Sequence, residues 1–200
     1  MPAPLLIATT NPGKLREFQD LLADLKDQIQ LIMPSEINLN LEVVEDGHTY
    51  LANSNKKALA FCKASGLLTL ADDSGLEVDA LNGAPGLYSA RYSPKPGATD
   101  ADRRAFLLEN LHPHARPWTA RFRCLVSLAS PNGDLYTTEG ICEGEIIPEE
   151  RGSNGFGYDP IFLLGDRGKT MAELSMQEKN TLSHRARAVI AAIPLIQDLI

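Results

Sequence analysis

Cysteine is scarce in this sequence: its 200 residues contain only three, Cys62, Cys124 and Cys142. An odd count without paired short spacings provides neither a disulfide framework nor a zinc site. Long apolar runs are also missing, since none reaches the roughly 18 residues of a membrane helix. The N-terminal residues lack the charged and apolar regions of a signal peptide. These absences predict a cytoplasmic protein that binds no membrane.

An excess of positive charge is absent too. The chain has 19 Lys and Arg against 26 Asp and Glu, a net charge of -7. Nucleic acid polymers are bound by basic surfaces, so the acidic balance argues against such a partner. A small phosphorylated ligand needs only a few cations and stays possible. Hydrophobic residues make up 44% of the chain, as in ordinary globular proteins. We expect residues 1–200 to form a single domain with two lobes.

Short apolar strands alternate with amphipathic helices along the chain. Gly66 is expected to end one helix, Thr99 to cap another, and Pro194 to kink or end the last. Strands mixed with helices predict an α/β fold with a mixed sheet. The expected strands cover residues 5–9, 67–71, 76–80, 121–129 and 135–147, with a hairpin turn at 131–134, and the expected helices cover about 14–25, 49–65, a segment around 106–111 and a segment from 183.

The first candidate site is the loop before the first expected helix. A loop that leads into a helix N-terminus offers backbone N–H groups and the positive end of the helix dipole, which suit a phosphate. Lys14 would add a mobile positive charge. An ordinary turn with a surface lysine is the alternative. The candidate phosphate-binding residues are Thr9, Thr10, Asn11, Pro12, Gly13 and Lys14.

The second candidate site is acidic. Asp72 and Asp73 follow an apolar strand and are expected to lie in a turn with Ser74 and Gly75. Ligands of open α/β sheets bind at the carboxyl ends of strands, and magnesium prefers a few carboxylates together with ligand phosphates. The acidic residues 42–47 could supply a further carboxylate. A capped turn and a solvated loop are the alternatives.

Aromatic and cationic residues form the third candidate site. Phe156 stands between glycines, which would let a flat base stack on its ring. Asp159 could hydrogen-bond the same ligand. Lys179 precedes the last helix, and His184 and Arg185 lie in its first turn, where positive charge opposes the helix dipole and therefore favours an electron-rich ligand. Core aromatics in a hairpin turn and a surface ion pair are the alternatives.

Five segments support these sites together. They are TTNPGK at 9–14, ADDSGL at 71–76, GAPGLYSARY at 83–92, FGYDPIF at 156–162 and SHR at 183–185. Their order closely resembles the Ham1/RdgB family of pyrophosphatases for non-standard purine nucleoside triphosphates, also called inosine triphosphate pyrophosphatases. Each segment alone is weakly specific, but five in order, over about residues 5 to 190, are highly specific.

The resemblance implies hydrolysis of dITP, ITP, XTP and dXTP to the monophosphate and pyrophosphate, which cleanses the nucleotide pool. It also implies Mg²⁺, a homodimer, and an elongated two-lobed mixed β-sheet with flanking helices and a central cleft. Asp73 is implied as general base and metal ligand, Glu45 as a further metal ligand, and Ser74 as a substrate contact. The implied base pocket consists of Phe156, Gly157, Tyr158, Asp159, Lys179, His184 and Arg185.

The chain departs from the family at one place. Residues 52–54 are Ala-Asn-Ser, where family members commonly carry Glu-Asn-Ala. If that glutamate helps hold the metal through water, Glu45 or Asp72 is expected to compensate. Two alternatives stay open: a Maf-type pyrophosphatase acting on modified pyrimidine nucleotides, and a nucleotide sensor without turnover.

Overall fold

The computed structural model describes all 200 residues. The strands are β1 (Ala3–Ile7), β2 (Ile29–Ile32), β3 (Leu68–Val78), β4 (Trp118–Ala129), β5 (Leu135–Ile146), β6 (Phe162–Leu164) and β7 (Lys169–Thr170), and the α-helices are α1 (Pro12–Leu21), α2 (Tyr50–Ser65), α3 (Asp100–Leu111), α4 (Met176–Lys179) and α5 (His184–Leu199). The strands form one sheet in the order β2-β1-β3-β4-β5-β6-β7. β1 is parallel to β2 and β3, whereas β6 is antiparallel to β5 and β7. The predicted α/β class with a mixed sheet is confirmed.

The chain divides into two compact units. The first unit contains residues 1–73, 124–140 and 185–200, and the second contains residues 74–123 and 141–184. The chain passes between them within β3, β4 and β5 and again at the start of α5. Each unit therefore draws on segments that are far apart in the sequence.

The first unit buries apolar residues on both faces of its part of the sheet. Side chains alternate along a strand, so Leu5 and Ile7 pack on one face with Phe18 of α1 and Val189 of α5. Leu6 lies on the other face, in a cluster with residues of α2. Each fully buried aliphatic side chain contributes on the order of 1.5–3 kcal/mol, and these two layers hold α1, α2 and α5 in place.

The second unit has one apolar core. Its members come from the second half of β3, from α3 and β4, and from the segment that leads into β6. Tyr158 is buried in this core, and its hydroxyl donates to the backbone oxygen of Ser89 at 2.9 Å. The phenol ring of Tyr158 therefore packs in this core, and its part in the base pocket stays a prediction.

Local signals placed two helix boundaries and one turn correctly. Gly66 adopts the left-handed conformation at the end of α2, with φ at 70°. Thr99 caps α3 and forms a capping box with Asp102. Between β4 and β5, Ser130 and Asp134 close the predicted hairpin turn with a backbone hydrogen bond of 2.9 Å. These features depend on residues that are neighbours in the sequence.

The prediction of a turn at residues 72–75 is wrong, because β3 continues through them to Val78. The parallel neighbour β1 ends earlier: Ile7 pairs with Leu70, and the Ala8 amide makes a further bond to the Leu70 oxygen. Asp72 and Asp73 therefore lie on a central strand, just beyond the carboxyl end of β1. The predicted location at the carboxyl end of a strand therefore holds for β1, beside which the two aspartates lie, and not for β3, which carries them.

Two helices differ from their predicted bounds. α1 begins at Pro12 rather than near Lys14 and ends at Leu21, followed by a short 3-10 turn. α5 continues through Pro194 to Leu199. Its buried face includes Val189 and Ile196, which are held by the first unit's core. No helix of the chain is both long enough and apolar enough to cross a membrane.

The cap of α3 provides a test of the second unit's stability. Thr99 Oγ1 accepts the Asp102 amide at 3.2 Å, and Asp102 Oδ2 accepts the Thr99 amide at 2.8 Å. We expect Thr99→Ala to lower the free energy of unfolding by about 1 kcal/mol, measured by urea denaturation. Thr99→Ser retains the hydroxyl and should restore it. Equal stability of Thr99→Ala and the original chain would contradict the capping role.

Candidate active site

The loop before α1 is held by its own side chains. Asn11 caps the helix, and its Oδ1 accepts the amides of Gly13 at 2.8 Å and Lys14 at 3.1 Å. Thr9 Oγ1 accepts the Asn11 amide at 3.2 Å. The expectation that the helix start offers free amides is therefore wrong for Gly13 and Lys14. The positive end of the dipole and the Lys14 ammonium group are what this loop presents.

Asp72 is the buried centre of the first unit's charged group. Its Oδ2 accepts from Lys14 Nζ at 2.8 Å and from Arg185 Nη2 at 3.1 Å. Arg185 also donates through Nη1 to Glu17, which is buried in α1. Glu17, Asp72 and Arg185 are each at most 2% exposed. Two carboxylates and two cations thus join α1, β3 and α5.

The neighbouring cations keep Asp72 ionised. Burial opposes its negative charge, but Lys14, Arg185 and Lys57 outweigh burial and hold the pKa of its carboxyl group far below the usual range. Burial likewise opposes the charge on Arg185, and Glu17 and Asp72 together raise the pKa of its guanidinium group. The group is therefore a network of full charges that compensate one another inside the unit.

The contacts of Arg185 show which partners it has within the chain. The sequence placed it with the base-binding residues because positive charge in the first turn of a helix requires a partner. The partners are the buried carboxylates of Glu17 and Asp72. These ion pairs are buried, so the alternative of a surface ion pair is wrong. A contact of Arg185 with the base stays a prediction.

Asp73 has different surroundings from Asp72. Its Oδ2 accepts from Asn53 Nδ2 of α2 at 2.9 Å. Burial raises the pKa of its carboxyl group; the hydrogen bond from Asn53 lowers that pKa, and the nearby charge of Glu45 raises it further, with a net upward shift. Asp73 is thus the carboxylate of this strand that binds a proton more readily than an ordinary aspartate.

Glu45 reaches this group through an extended segment. Residues 41–47 alternate between half-buried and exposed, and Leu41 and Val43 pack against the apolar cluster under α2. Glu45 is next on the same side and pairs with Lys57 Nζ at 2.6 Å. Burial opposes the charge on Lys57, but Asp72 and Glu45 outweigh burial and raise the pKa of its ammonium group.

The acidic residues fit a metal only together with a ligand. No group of three or more His, Cys, Asp or Glu side chains in the chain could hold a metal by itself. Asp73 and Glu45 are close enough for the charge of one to shift the pKa of the other. Mg²⁺ is commonly held by one or two carboxylates plus substrate phosphates, so this pair fits that donor set.

The second unit carries the aromatic group. Asp159 Oδ2 accepts from Lys179 Nζ at 2.7 Å and from the Phe156 amide at 2.9 Å, and Lys179 Nζ lies 5.1 Å from the centre of the Phe156 ring. Gly155 is required here, because its φ is +74° and a Cβ would lie 2.0 Å from Asp159 Oδ2. One carboxylate thus orients both a half-buried aromatic ring and a buried ammonium group.

The predicted site residues fall into these two groups. Gly157 is fixed by Asp100, whose Oδ2 accepts its amide at 2.8 Å. His184 stacks on Phe122 with ring centres 4.7 Å apart and planes at 14°. The first unit holds Thr9, Thr10, Asn11, Pro12, Gly13, Lys14, Glu45, Asp73 and Arg185, and the second holds Ser74, Phe156, Gly157, Tyr158, Asp159, Lys179 and His184.

Sequence reasoning missed Glu17, Asn53, Lys57 and Phe122. A signal existed for two of them: Asn53 and Lys57 are four residues apart on α2 and interrupt its buried apolar face. Glu17 and Phe122 carried none, because their partners Arg185 and His184 lie far along the chain.

The chain is an α/β protein with a mixed sheet whose first unit places lysines beside carboxylates. Such a charged centre is typical of proteins that bind a polyphosphate together with a metal ion. The Ham1 family model matches residues 5–194, and the chain belongs to this family. It is 48% identical to the dITP/XTP pyrophosphatase of Desulfotalea psychrophila over 92% of this chain and 81% of that protein. It is 44% identical to the dITP/XTP pyrophosphatase of Bacillus subtilis over 92% of each.

Solved structures agree with this membership. The Ham1 protein of Staphylococcus aureus has a TM-score of 0.85 and 37% identity, covering 98% of both chains. A Ham1 protein of Coxiella burnetii has a TM-score of 0.88 and 41% identity, covering 98% of this chain and 99% of that one. The family resemblance and the fold class are confirmed.

The buried pair of Arg185 and Glu17 can be tested through stability. Replacing Arg185 with Met leaves buried negative charge uncompensated, and we expect the free energy of unfolding to fall by about 3–5 kcal/mol. Arg116 forms an exposed pair with Glu145 at 3.0 Å, so Arg116→Met should cost less than about 1 kcal/mol. Urea denaturation measures both. Equal losses would show that burial adds nothing to the contribution of the pair.

Proposed function

We propose that the chain hydrolyses dITP, ITP, XTP and dXTP to the nucleoside monophosphate and pyrophosphate, and so cleanses the cytoplasmic nucleotide pool. The observation that carries the proposal is the first unit's charged group, where two lysines accompany two adjacent carboxylates with opposite pKa shifts. The relatives named dITP/XTP pyrophosphatases, with 44–48% identity, support dITP and XTP among these substrates.

The lysines bind the polyphosphate. Lys14 sits in the first turn of α1, where the helix dipole also favours an anion. Arg185 already compensates part of the charge on Asp72, so the Lys14 ammonium keeps attraction for a phosphate. Lys57 adds a second, largely buried ammonium group beside Glu45. Charge-assisted bonds from these groups hold the phosphate chain.

Asp73 and Glu45 would hold the metal, which we infer to be Mg²⁺. A bound Mg²⁺ ion would offset the charge that develops on the pyrophosphate leaving group. Asp73 orients a water molecule and takes its proton during attack on the α-phosphorus. A general base works best when its pKa lies near the working pH, and burial shifts the pKa of Asp73 in that direction.

The second unit's aromatic group recognises the base. Phe156 provides a stacking surface worth on the order of 1–3 kcal/mol, and Asp159 holds it together with Lys179. Hypoxanthine and xanthine present a carbonyl oxygen at position 6, where adenine presents an amino group. A donor such as the His184 ring N–H matches the carbonyl and leaves the adenine amino group unpaired. The proposal also includes a homodimer, as the family resemblance implies.

A nucleotide panel with pyrophosphate detection tests the activity. With Mg²⁺, we expect ITP, dITP and XTP to release pyrophosphate faster than ATP by about 10²-fold or more, and chelation of the metal to stop turnover. Faster hydrolysis of dUTP or dTTP would favour the Maf-type alternative. Nucleotide binding without pyrophosphate release would favour a sensor.

Replacing Asp73 with Asn tests its role as the base. We expect turnover of ITP to fall by about 10²–10⁴-fold while calorimetry shows that nucleotide binding is retained.

The same variant tests the effect of Asp73 on stability. Because the folded state raises the pKa of Asp73, its ionised form destabilises the fold at neutral pH, and this destabilisation is lost as the pH falls through that pKa. Asp73→Asn should therefore be more stable than the original chain in metal-free buffer at pH 7. Near-normal ITP turnover by Asp73→Asn would exclude Asp73 as the general base, and equal stability of the two proteins would contradict the destabilising effect of its charge.

A further inference from the structure

Asn53 connects two segments of the first unit through its side-chain amide. It lies in the first turns of α2 and is 2% exposed. Its Oδ1 accepts the Gly47 amide at 2.7 Å, and its Nδ2 donates to Asp73 Oδ2 at 2.9 Å. The segment that carries Glu45 and the strand that carries Asp73 are thus joined by one side chain.

The two bonds determine which way the amide points. A backbone N–H of Gly47 can only donate, so the carbonyl oxygen of Asn53 must face it. The amino group then faces Asp73, and an ionised carboxylate can only accept. An ionised aspartate of the same length could not donate to Asp73, and a leucine could make neither bond, whereas the amide supplies an acceptor for Gly47 and a donor for Asp73.

The packing at Gly47 shows how closely this contact is built. A Cβ on Gly47 would lie 2.6 Å from Asn53 Oδ1 and 2.9 Å from the Cβ of Ala52. The backbone of Gly47 is not left-handed, so glycine is needed here for close approach rather than for conformation. Glu45 lies two residues before this contact, on the same half-buried side of the extended segment.

We infer that Asn53 is a positioning residue that sets the two proposed metal carboxylates, Asp73 directly and Glu45 through Gly47, to face one cation. This inference rests on the proposed function for the existence of the metal. Through its amino group, Asn53 fixes the position of one carboxylate oxygen of Asp73. Through its amide, Gly47 fixes the position of the segment that carries Glu45 against α2.

Metal binding by variants of both residues tests the inference. Asn53→Leu removes both hydrogen bonds while keeping the same number and branching of side-chain heavy atoms. Gly47→Ala instead forces the Gly47 amide away from Asn53 Oδ1, with Asn53 and Asp73 still present in the chain. Outer partners of metal ligands typically change affinity by about 10- to 100-fold. We expect the Kd of Mn²⁺, measured by electron paramagnetic resonance with a non-hydrolysable α,β-imido analogue of ITP, to rise by about that factor in each variant.

The double variant and a second readout sharpen the test. Both substitutions break the same hydrogen bond between Gly47 and Asn53. The double variant Asn53→Leu/Gly47→Ala should therefore bind Mn²⁺ no more weakly than the worse single variant. The Mg²⁺ concentration that half-saturates ITP turnover should rise in parallel, and excess Mg²⁺ should restore much of the rate. Because metal binding also stabilises the folded state, rescue by Mg²⁺ is compared with the destabilised control variant Thr49→Ala.

Two controls separate positioning from stability. Thr49→Ala removes the cap of α2, where Thr49 Oγ1 accepts the Ala52 amide at 3.0 Å, and should lower stability without changing the Mn²⁺ Kd. Gly165→Ala adds a Cβ where nothing lies within 4 Å, and should change neither. If Asn53→Leu does not fold, Gly47→Ala carries the measurement.

The outcomes are distinct from those of the proposed function. Wild-type protein that binds no Mn²⁺ would overturn the metal centre itself, and the inference with it. Wild-type binding with an unchanged Kd in folded Asn53→Leu or Gly47→Ala would overturn the positioning role alone. A rise in Kd that Thr49→Ala reproduces would also overturn it, because the effect would then follow from helix stability.

Discussion

The charge of Asp72 is the constraint on which the first unit depends. A carboxylate buried in an apolar sheet is strongly destabilising unless cations compensate it. Lys14 and Arg185 contact its Oδ2, and the charge of Lys57 adds to theirs. These cations come from α1, α5 and α2, so compensation of one buried charge requires three helices to pack around the same strand. Glu17 completes the balance for Arg185.

The two adjacent aspartates acquire different chemistry from this arrangement. Successive side chains of a strand point to opposite faces, so Asp72 and Asp73 have different hydrogen-bond partners, although the charges of Lys14 and Lys57 act on both carboxyl groups. Asp72 meets Lys14 and Arg185 and stays ionised. Asp73 meets the neutral amide of Asn53 and the negative charge of Glu45, and the pKa of its carboxyl group is raised. In the proposed mechanism, this separation of pKa values leaves Asp72 as the structural carboxylate and Asp73 as the base.

In the second unit, too, a single buried carboxylate binds several groups at once. Asp159 orients Phe156 through the backbone and Lys179 through its ammonium group, while Asp100 and Arg104 bind the amide and carbonyl of Gly157 on either side. Gly155 allows the Asp159 carboxylate to approach the backbone closely, whereas Gly157 adopts a positive φ of 62° that favours glycine. A flat ring held at a half-buried position is the result.

The sequence by itself determined the features that depend on near neighbours, which are the end of α2 at Gly66, the Thr99 cap and the hairpin turn at 131–134. Its five motifs also indicated the family and the candidate residues. Only the tertiary structure decided that residues 72–75 continue a strand, because strand pairing outweighs the turn tendency of Asp, Ser and Gly. It also decided that Arg185 pairs with Glu17, 168 positions away along the chain, and that Asn53 holds Asp73. Charge compensation and hydrogen bonding act through space, and the spacing of residues along a chain does not reveal which distant groups will meet.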